Sequence, residues 1–358
     1  ADGEPKPLTT EVFERLERVL QRAPRHPGAN HFYIHAVEQE HPERGVQAAD
    51  NLRRVVPGAG HLVHMPSHIY IRVGRYHDGS LANERAIDAD DEYVTQCRAQ
   101  GIYPVAYVPH NHHFLWATTT MEGRSADSIA AARHTAEHVH HGLIRDPQMA
   151  MLQHFASIPY YALVRFGRWT EILEEPAPEA DLLYPTAVWH YARGVAYVRQ
   201  GSLEKANQEL GEVRAIASDP ALEEVRIWGL NPASSLAEIA ASVLRGEIAA
   251  AKGNTKTAVT ELRKAIAIED GLIYGEPPDW FYPVRQNLGA ILLEAGRPGQ
   301  AEEVYREDLA RFPDNGWSLF GLAQSLRAQG KKTEAAQAQR RFETAWQYAD
   351  VEITASRF

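Results

Sequence analysis

A turn signal recurs seven times along this chain and limits its fold more than any other feature. Each copy has a glycine, then a residue or two, then the start of a new helical segment, at Gly74, Gly123, Gly167, Gly201, Gly253, Gly296 and Gly330. Glycine ends a helix in the left-handed conformation at no steric cost. In the last four copies an alanine five residues later lets the next helix pack closely. The pattern predicts an all-α solenoid of stacked helical hairpins.

Helical signals fill the intervals between these turns, and no alternating run is long enough to predict a sheet. The predicted helices include Thr9 to about Arg22, Leu203–Ile216, Thr257–Ile268, Ala301–Arg311 and a polar capping helix at about Lys331–Tyr348. Two segments, Ala99–Val108 and Asp270–Pro283, are expected to be long functional loops. We expect one continuous solenoid, with histidine-rich repeats over 1–170 and further repeats over 171–358.

Composition excludes several classes of function. The net charge is −10 and no basic cluster occurs, which argues against binding to nucleic acid. No apolar run approaches the roughly 20 residues of a membrane-spanning helix. The single cysteine, Cys97, excludes an internal disulfide and any CxxC metal motif. The chain begins without Met, which predicts a removed leader or an upstream segment of the same precursor, and leaves a cytoplasmic and a periplasmic or exported location open.

The histidines are distributed very unevenly. All seventeen lie between His26 and His190, and three short segments carry spaced sets of them. The sets are His31, His35 and Glu38; His61, His64 and His68; and His110 with His113. Each spacing brings side chains to one face of a helix. Pro66 suits the first turn of a helix, so we expect His61 and His64 on the loop that enters it.

Imidazoles three or four residues apart on a helix can converge on one metal ion. Sets on neighbouring hairpins would line one concave wall and supply enough nitrogen for two ions. We therefore predict that the metal ligands are His31, His35, His64, His68, His110 and His113, with His61 and Glu38 as the next candidates. Glu38 could instead hold a ring in one tautomer. The alternative is that these histidines are ordinary hydrogen-bonded wall residues.

Other residues could shape a substrate pocket beside such ions. We assign this role to Tyr70, to Asn111 and to Tyr282 of the long loop. The chain has no GxSxG nucleophile elbow, Walker loop, GxGxxG fingerprint or HExxH zinc signature.

Five long strings resemble a family of bacterial tetratricopeptide-repeat proteins. They span 26–38, 60–76, 109–115, 276–289 and 315–326, and include the histidine patterns HxxxHxxE, HxxHMPSH and PHNxHF. The 34-residue spacings between some turn glycines also equal the tetratricopeptide period. The resemblance covers nearly the whole chain. It implies a helical-repeat fold, an N-terminal extension in other members, and no named reaction.

The expected function is that of a metal-binding repeat protein with a mono- or dinuclear histidine site in its groove, most simply a metalloenzyme. Copper with O₂ or redox chemistry is the first expectation, and zinc or iron with an activated water is the second. Two alternatives remain: a non-catalytic scaffold that binds a peptide or protein, and a metal storage or delivery protein. The groove would hold a small molecule or a peptide.

Overall fold

The fold is an all-α solenoid, as the glycine pattern predicted. The computed structural model describes residues 6–97, 101 and 103–358, apart from the side chain of Cys97. The first half contains α1 (Thr9–Arg22), α2 (Pro27–Val37), α3 (Pro42–Leu52), α4 (Gly60–His64), α5 (Pro66–Arg72), α6 (Tyr76–Cys97), α7 (Val108–Met121), α8 (Ser125–Glu137), α9 (Met151–Arg165) and α10 (Trp169–Glu174). The second half contains α11 (Leu183–Arg199), α12 (Leu203–Ala217), α13 (Pro220–Glu223), α14 (Ala233–Ala251), α15 (Thr255–Asp270), α16 (Val284–Glu294), α17 (Pro298–Arg311), α18 (Gly316–Ala328) and α19 (Lys332–Ala345).

The turn glycines form the hairpins as predicted. All seven have positive φ, between 66° and 79°, and each lies between two helices that pack side by side. Gly74 additionally needs its missing side chain, because a Cβ there would lie 2.5 Å from the carbonyl oxygen of Pro313. The hairpins therefore owe their turns to backbone conformation and, at Gly74, to a close approach by a distant repeat.

Two details differ from the sequence prediction. A short antiparallel hairpin pairs β1 (Arg226–Ile227) with β2 (Asn231–Pro232) between α13 and α14. Residues 99, 100 and 102 of the predicted loop Ala99–Val108 lie outside the described residues. Its remaining part is a π-helix, Tyr103–Tyr107, that leads directly into α7. The other predicted loop is confirmed as an irregular connection between α15 and α16.

The last helices pack back against the first half of the chain. Trp317 of α18 donates from Nε1 to the carbonyl oxygen of Thr120, 2.9 Å away. Asp350 accepts hydrogen bonds from the backbone N–H groups of Ser125 and Ala126 at 2.6 and 2.9 Å, at the start of α8. The ring of Tyr348 stacks on His77 with centroids 3.6 Å apart. This closure brings the α15–α16 connection against the histidine-bearing helices. Among the described residues, no helix is long and apolar enough to span a membrane.

Candidate metal centre

Four helices contribute the predicted histidine ligands. His31 and His35 lie on α2, with Glu38 at its C-terminal cap. His61 and His64 lie on α4, His68 on α5 and His110 on α7. The expectation that His61 and His64 occupy an entry loop is wrong. Met65 keeps helical backbone angles (φ −49°, ψ −36°), so a short helix precedes the one that begins at Pro66.

Three of these imidazoles, His31, His35 and His61, form an outer triad. One nitrogen from each ring lies within 4.8 Å of the other two. The Nε2 atoms of His31 and His61 are 3.2 Å apart. His35 is exposed and the other two rings are half-buried, so this triad is open to solvent.

Three others, His64, His68 and His110, form an inner triad. Their nearest nitrogens also lie within 4.8 Å of one another. The Nε2 atoms of His64 and His68 are 3.0 Å apart, and both rings are buried. The fully buried ring of Phe114 lies beneath all three, with centroid distances of 4.7, 4.5 and 5.0 Å.

The two triads are neighbours. The ring centroids of His35 and His68 are 5.7 Å apart, and those of His61 and His64 are 6.2 Å apart. The six imidazoles therefore form one continuous group with an open end and an enclosed end.

The tautomer of His64 follows from its hydrogen bonds. Its Nδ1 lies 2.7 Å from Oδ1 of Asn83, and the Asn83 amide is oriented because its Nδ2 donates to the carbonyl oxygen of Gly79 at 2.8 Å. An amide oxygen only accepts, so Nδ1 of His64 carries the proton. The lone pair of Nε2 therefore points at His68. Metal-binding histidines are commonly fixed in this way by a partner on the other nitrogen.

The proton of His68 is placed by two carboxylates. Its Nδ1 lies 2.8 Å from Oε2 of Glu276 and 3.3 Å from Oε2 of Glu38. His68, like His64, is therefore protonated on Nδ1, and its Nε2 faces the Nε2 lone pair of His64. Two lone pairs at 3.0 Å repel each other, so a cation, either a proton or a metal ion, is required between them.

The charges around His68 favour a proton between the Nε2 atoms of His64 and His68 when no metal is bound. Burial alone would lower the pKa of His68, but Glu38 and Glu276 outweigh it and raise that pKa to about 10. Burial would raise the pKa of Glu38, yet His68 and His35 lower it to about 2. The buried carboxylate and the imidazolium thus stabilise each other's charged forms.

Four of these rings, those of His31, His61, His64 and His110, are neutral at pH 7. Burial, reinforced by neighbouring imidazoles, lowers the pKa of His110 to about 3 and that of His61 to about 4. The same causes lower the pKa of His64 well below its usual range and lower that of His31. Neutral imidazoles present a lone pair without first losing a proton, as metal binding requires.

The nitrogen separations fit a shared ion. Two nitrogens bound at about 2.0–2.1 Å to one ion lie roughly 2.9–3.4 Å apart for angles between 90° and 109°. The closest pairs, at 3.2 Å in the outer triad and 3.0 Å in the inner one, fall in this range. A hydrogen bond between two imidazoles also has this length, so distance alone does not separate the two cases.

Glu276 is a site residue that the sequence argument missed. It lies 208 residues from His68 and reaches it from the α15–α16 connection. The signals were its position inside the loop Asp270–Pro283, which we expected to be functional, and at the start of the family-like string 276–289. The sequence argument also missed Trp228, which lies beside β1 and packs edge-on against His110, with ring centroids 5.6 Å apart.

His113 is not part of either triad, contrary to the sequence prediction. It is fully buried, stacks on Trp116 at 5.3 Å and packs against His154 of α9 at 5.3 Å. Two residues three apart on a helix differ by about 60° in direction. Since α7 is buried on nearly all sides, that angle is enough to turn His113 from α5 toward α9.

The predicted pocket residues also point elsewhere. Tyr70 donates to Oδ1 of Asp50 at 2.7 Å, because two residues along a helix place it on the face opposite His68. Asn111 donates to Oδ2 of Asp90 at 2.7 Å. Tyr282 is buried beneath the guanidinium of Arg165, 4.4 Å from its ring centroid. These contacts lie outside the two triads, and the assignment of Tyr70, Asn111 and Tyr282 to a substrate pocket stays a prediction.

Comparison with known proteins identifies the repeat but not the histidine site. Residues 287–350 match the family model described as tetratricopeptide repeat, which covers α17 to α19 and most of α16. The histidine strings lie outside that match. The search of curated proteins gives no match. A structure entitled "Assembly Chaperone of RpL4 (Acl4) (Residues 1-338)" is similar at 13% identity and a TM-score of 0.29, covering 92% of this chain and 99% of that chain. A likeness at this level carries no argument about function.

Proposed function

We propose that this protein binds transition-metal ions at the two histidine triads and uses them in an enzymatic reaction. One observation carries the proposal: His64 and His68 are both held with Nδ1 protonated, and their Nε2 atoms face each other at 3.0 Å. Histidines with only a structural role would have no reason to gather six imidazole rings into one group. Two triads favour two ions in each chain.

Copper is our first choice for the metal. Imidazole-rich sites suit copper, zinc, iron and nickel, and copper(II) binds such ligands most tightly in the first transition row. Three imidazoles around each of two ions are also the arrangement of dinuclear copper proteins, which is an analogy only. Bound copper would supply redox or O₂ chemistry; zinc or iron, our second choice, would supply an activated water.

The residues of the chain have separate tasks in this proposal. Asn83 and the carboxylates of Glu38 and Glu276 orient the inner imidazoles through their Nδ1 atoms. Phe114 and the surrounding core keep water from the inner triad. The exposed edge of His35 leaves the outer triad open to an incoming molecule. Substrate would therefore meet the outer triad first.

Elemental analysis of protein purified without an affinity tag tests the proposal. We expect about two ions of one metal in each chain, and their near-complete loss in a His31→Ala, His68→Ala double variant. A His41→Ala, His190→Ala variant, which removes two histidines outside the triads, should keep its metal. Full metal content in the first variant, or equal loss in both, would refute this site.

A peptide-binding scaffold is the second candidate function, favoured by the tetratricopeptide match over 287–350. Repeat solenoids often hold extended peptides in their groove. Metal-free protein from metal-supplemented cells would favour this reading. A third candidate, metal storage or delivery, would be supported if the bound metal passed to an acceptor chelator and no substrate turnover accompanied it.

A further inference from the structure

A cavity of about 120 Å³ lies beside the inner triad, on the far side of Glu276. It is bounded by the end of α5, the α15–α16 connection and the end of α17. Its apolar lining includes Ile71, Leu272, Trp280 and Phe312. None of the sequence-predicted site residues lines it.

One part of the lining carries two buried carboxylates, and one oxygen of each makes no hydrogen bond within the described residues. The Glu276 side chain is 4% exposed; its Oε2 accepts from His68, while its Oε1 has no hydrogen-bond partner among the described residues. Asp279 is 3% exposed; its Oδ2 accepts from Asn231 at 2.8 Å, and its Oδ1 likewise lacks a donor within the described part of the chain. His68 is the nearest cation to the Glu276 carboxylate, and Arg72 is a second one: its Nε, a buried donor without a hydrogen bond within the described residues, lies 3.7 Å from Oε1 of Glu276. A buried acceptor left unpaired is unfavourable, so this part of the cavity suits a donor-bearing ligand.

Another part of the lining carries guanidinium groups. Arg285 makes two 2.8 Å hydrogen bonds to Asp270, and Arg311 contacts the same carboxylate. Glu307 also approaches Arg285, at 3.4 Å, but its side chain is 54% exposed and does not line the cavity. Another acid of the lining, Glu269, adds little negative charge because burial raises its pKa to about 8. Arg311 remains 46% exposed, and within the described residues only its Nη1 makes a hydrogen bond, to Asp270. A guanidinium placed in this way can also pair with an anion.

We propose that this cavity binds a small zwitterion, a molecule with a primary ammonium group at one end and a carboxylate at the other. The ammonium group would donate to Glu276 and Asp279, and the carboxylate would pair with Arg285 and Arg311. The apolar lining would enclose the methylene groups between them. Such a ligand would lie one side chain away from the inner triad. That it is also the substrate of the metal centre rests on the proposed function; its binding does not.

Calorimetric titration of the zinc-loaded protein tests this proposal with three matched probes: 4-aminobutyrate, butyrate and n-butylamine. Zinc is used because it cannot oxidise the probe. We expect 4-aminobutyrate to bind at least tenfold more tightly than either molecule that lacks one charge. Asp279→Asn should weaken its binding about tenfold, whereas Asp88→Asn, at an exposed acid away from the cavity, should not. Zinc content measured on the same samples reports separately on the metal site.

A second variant guards against misfolding of Asp279→Asn. Arg311→Gln alters an exposed side chain and should weaken 4-aminobutyrate without changing the affinity for n-butylamine. Equal binding of all three probes, no binding of any, or unchanged binding of 4-aminobutyrate by both variants would overturn the proposal. Protein that holds no zinc but still binds 4-aminobutyrate would contradict the metal function alone.

Discussion

Zinc binding at the inner triad should release one proton from His68. We expect this because the carboxylates of Glu38 and Glu276 raise the pKa of His68 to about 10, so that at pH 7 the site must lose a proton before Nε2 can bind an ion. Three pH units of competition weaken the apparent affinity at pH 7 about 1000-fold relative to the fully deprotonated site, or by ~4 kcal/mol. Between pH 6.5 and 8.5 the apparent affinity should therefore rise about a hundredfold.

The assay needs a single binding site. A His31→Ala, His61→Ala variant removes the outer triad, and competition with a chromophoric chelator then gives the inner affinity at each pH. Titration calorimetry in buffers of different ionisation enthalpy counts the released protons. In a further Glu38→Gln, Glu276→Gln variant the pKa of His68 should fall, and both the slope and the proton release should diminish. An affinity that does not change with pH, or zinc binding with no proton released, would refute this account of His68.

Three further predictions concern single residues. His113→Leu should leave the metal content unchanged, as measured by elemental analysis. The free energy of unfolding should stay equal or rise by about 1–3 kcal/mol, because both ring nitrogens of His113 are buried without a partner in the described residues. Loss of metal from this variant would return His113 to the site. Asn83→Ala should weaken zinc binding about 10–100-fold in a competition assay, because His64 loses the acceptor that fixes its tautomer; unchanged affinity would contradict that role. Glu38→Gln should remove up to ~3 kcal/mol of stability from the metal-free protein, as its pKa is lowered to about 2. The stability from Glu38 is present above pH 4.5 and lost as the pH falls toward 2, while that from His68 is present below pH 6.5 and lost as the pH rises toward 10. The difference from the unaltered protein in urea unfolding should therefore be largest between pH 4.5 and 6.5, and a difference independent of pH would argue against a charged pair.

Local patterns in the sequence were enough to predict the repeat fold and most of the histidine group. Glycine at a helix end has a local effect, so the seven turns could be recognised from the chain alone, and all seven have the expected positive φ. The i,i+4 spacing of His31 and His35, and of His64 and His68, is equally local, because one turn of helix fixes which side chains share a face. These features depend on neighbours in sequence.

Which helix faces contact each other depends on how the whole chain packs. Helical periodicity gives the angle between His110 and His113 but not the helix that each one faces. The helix α7 has neighbours on both sides, so His110 contacts His68 of α5 whereas His113 contacts His154 of α9. Likewise His61, a secondary candidate from spacing, faces His31 because α4 and α2 lie together. Glu276 reaches His68 from 208 residues away only because the solenoid closes on itself. The packing of whole helices determines such contacts, so short-range patterns in the sequence do not predict them.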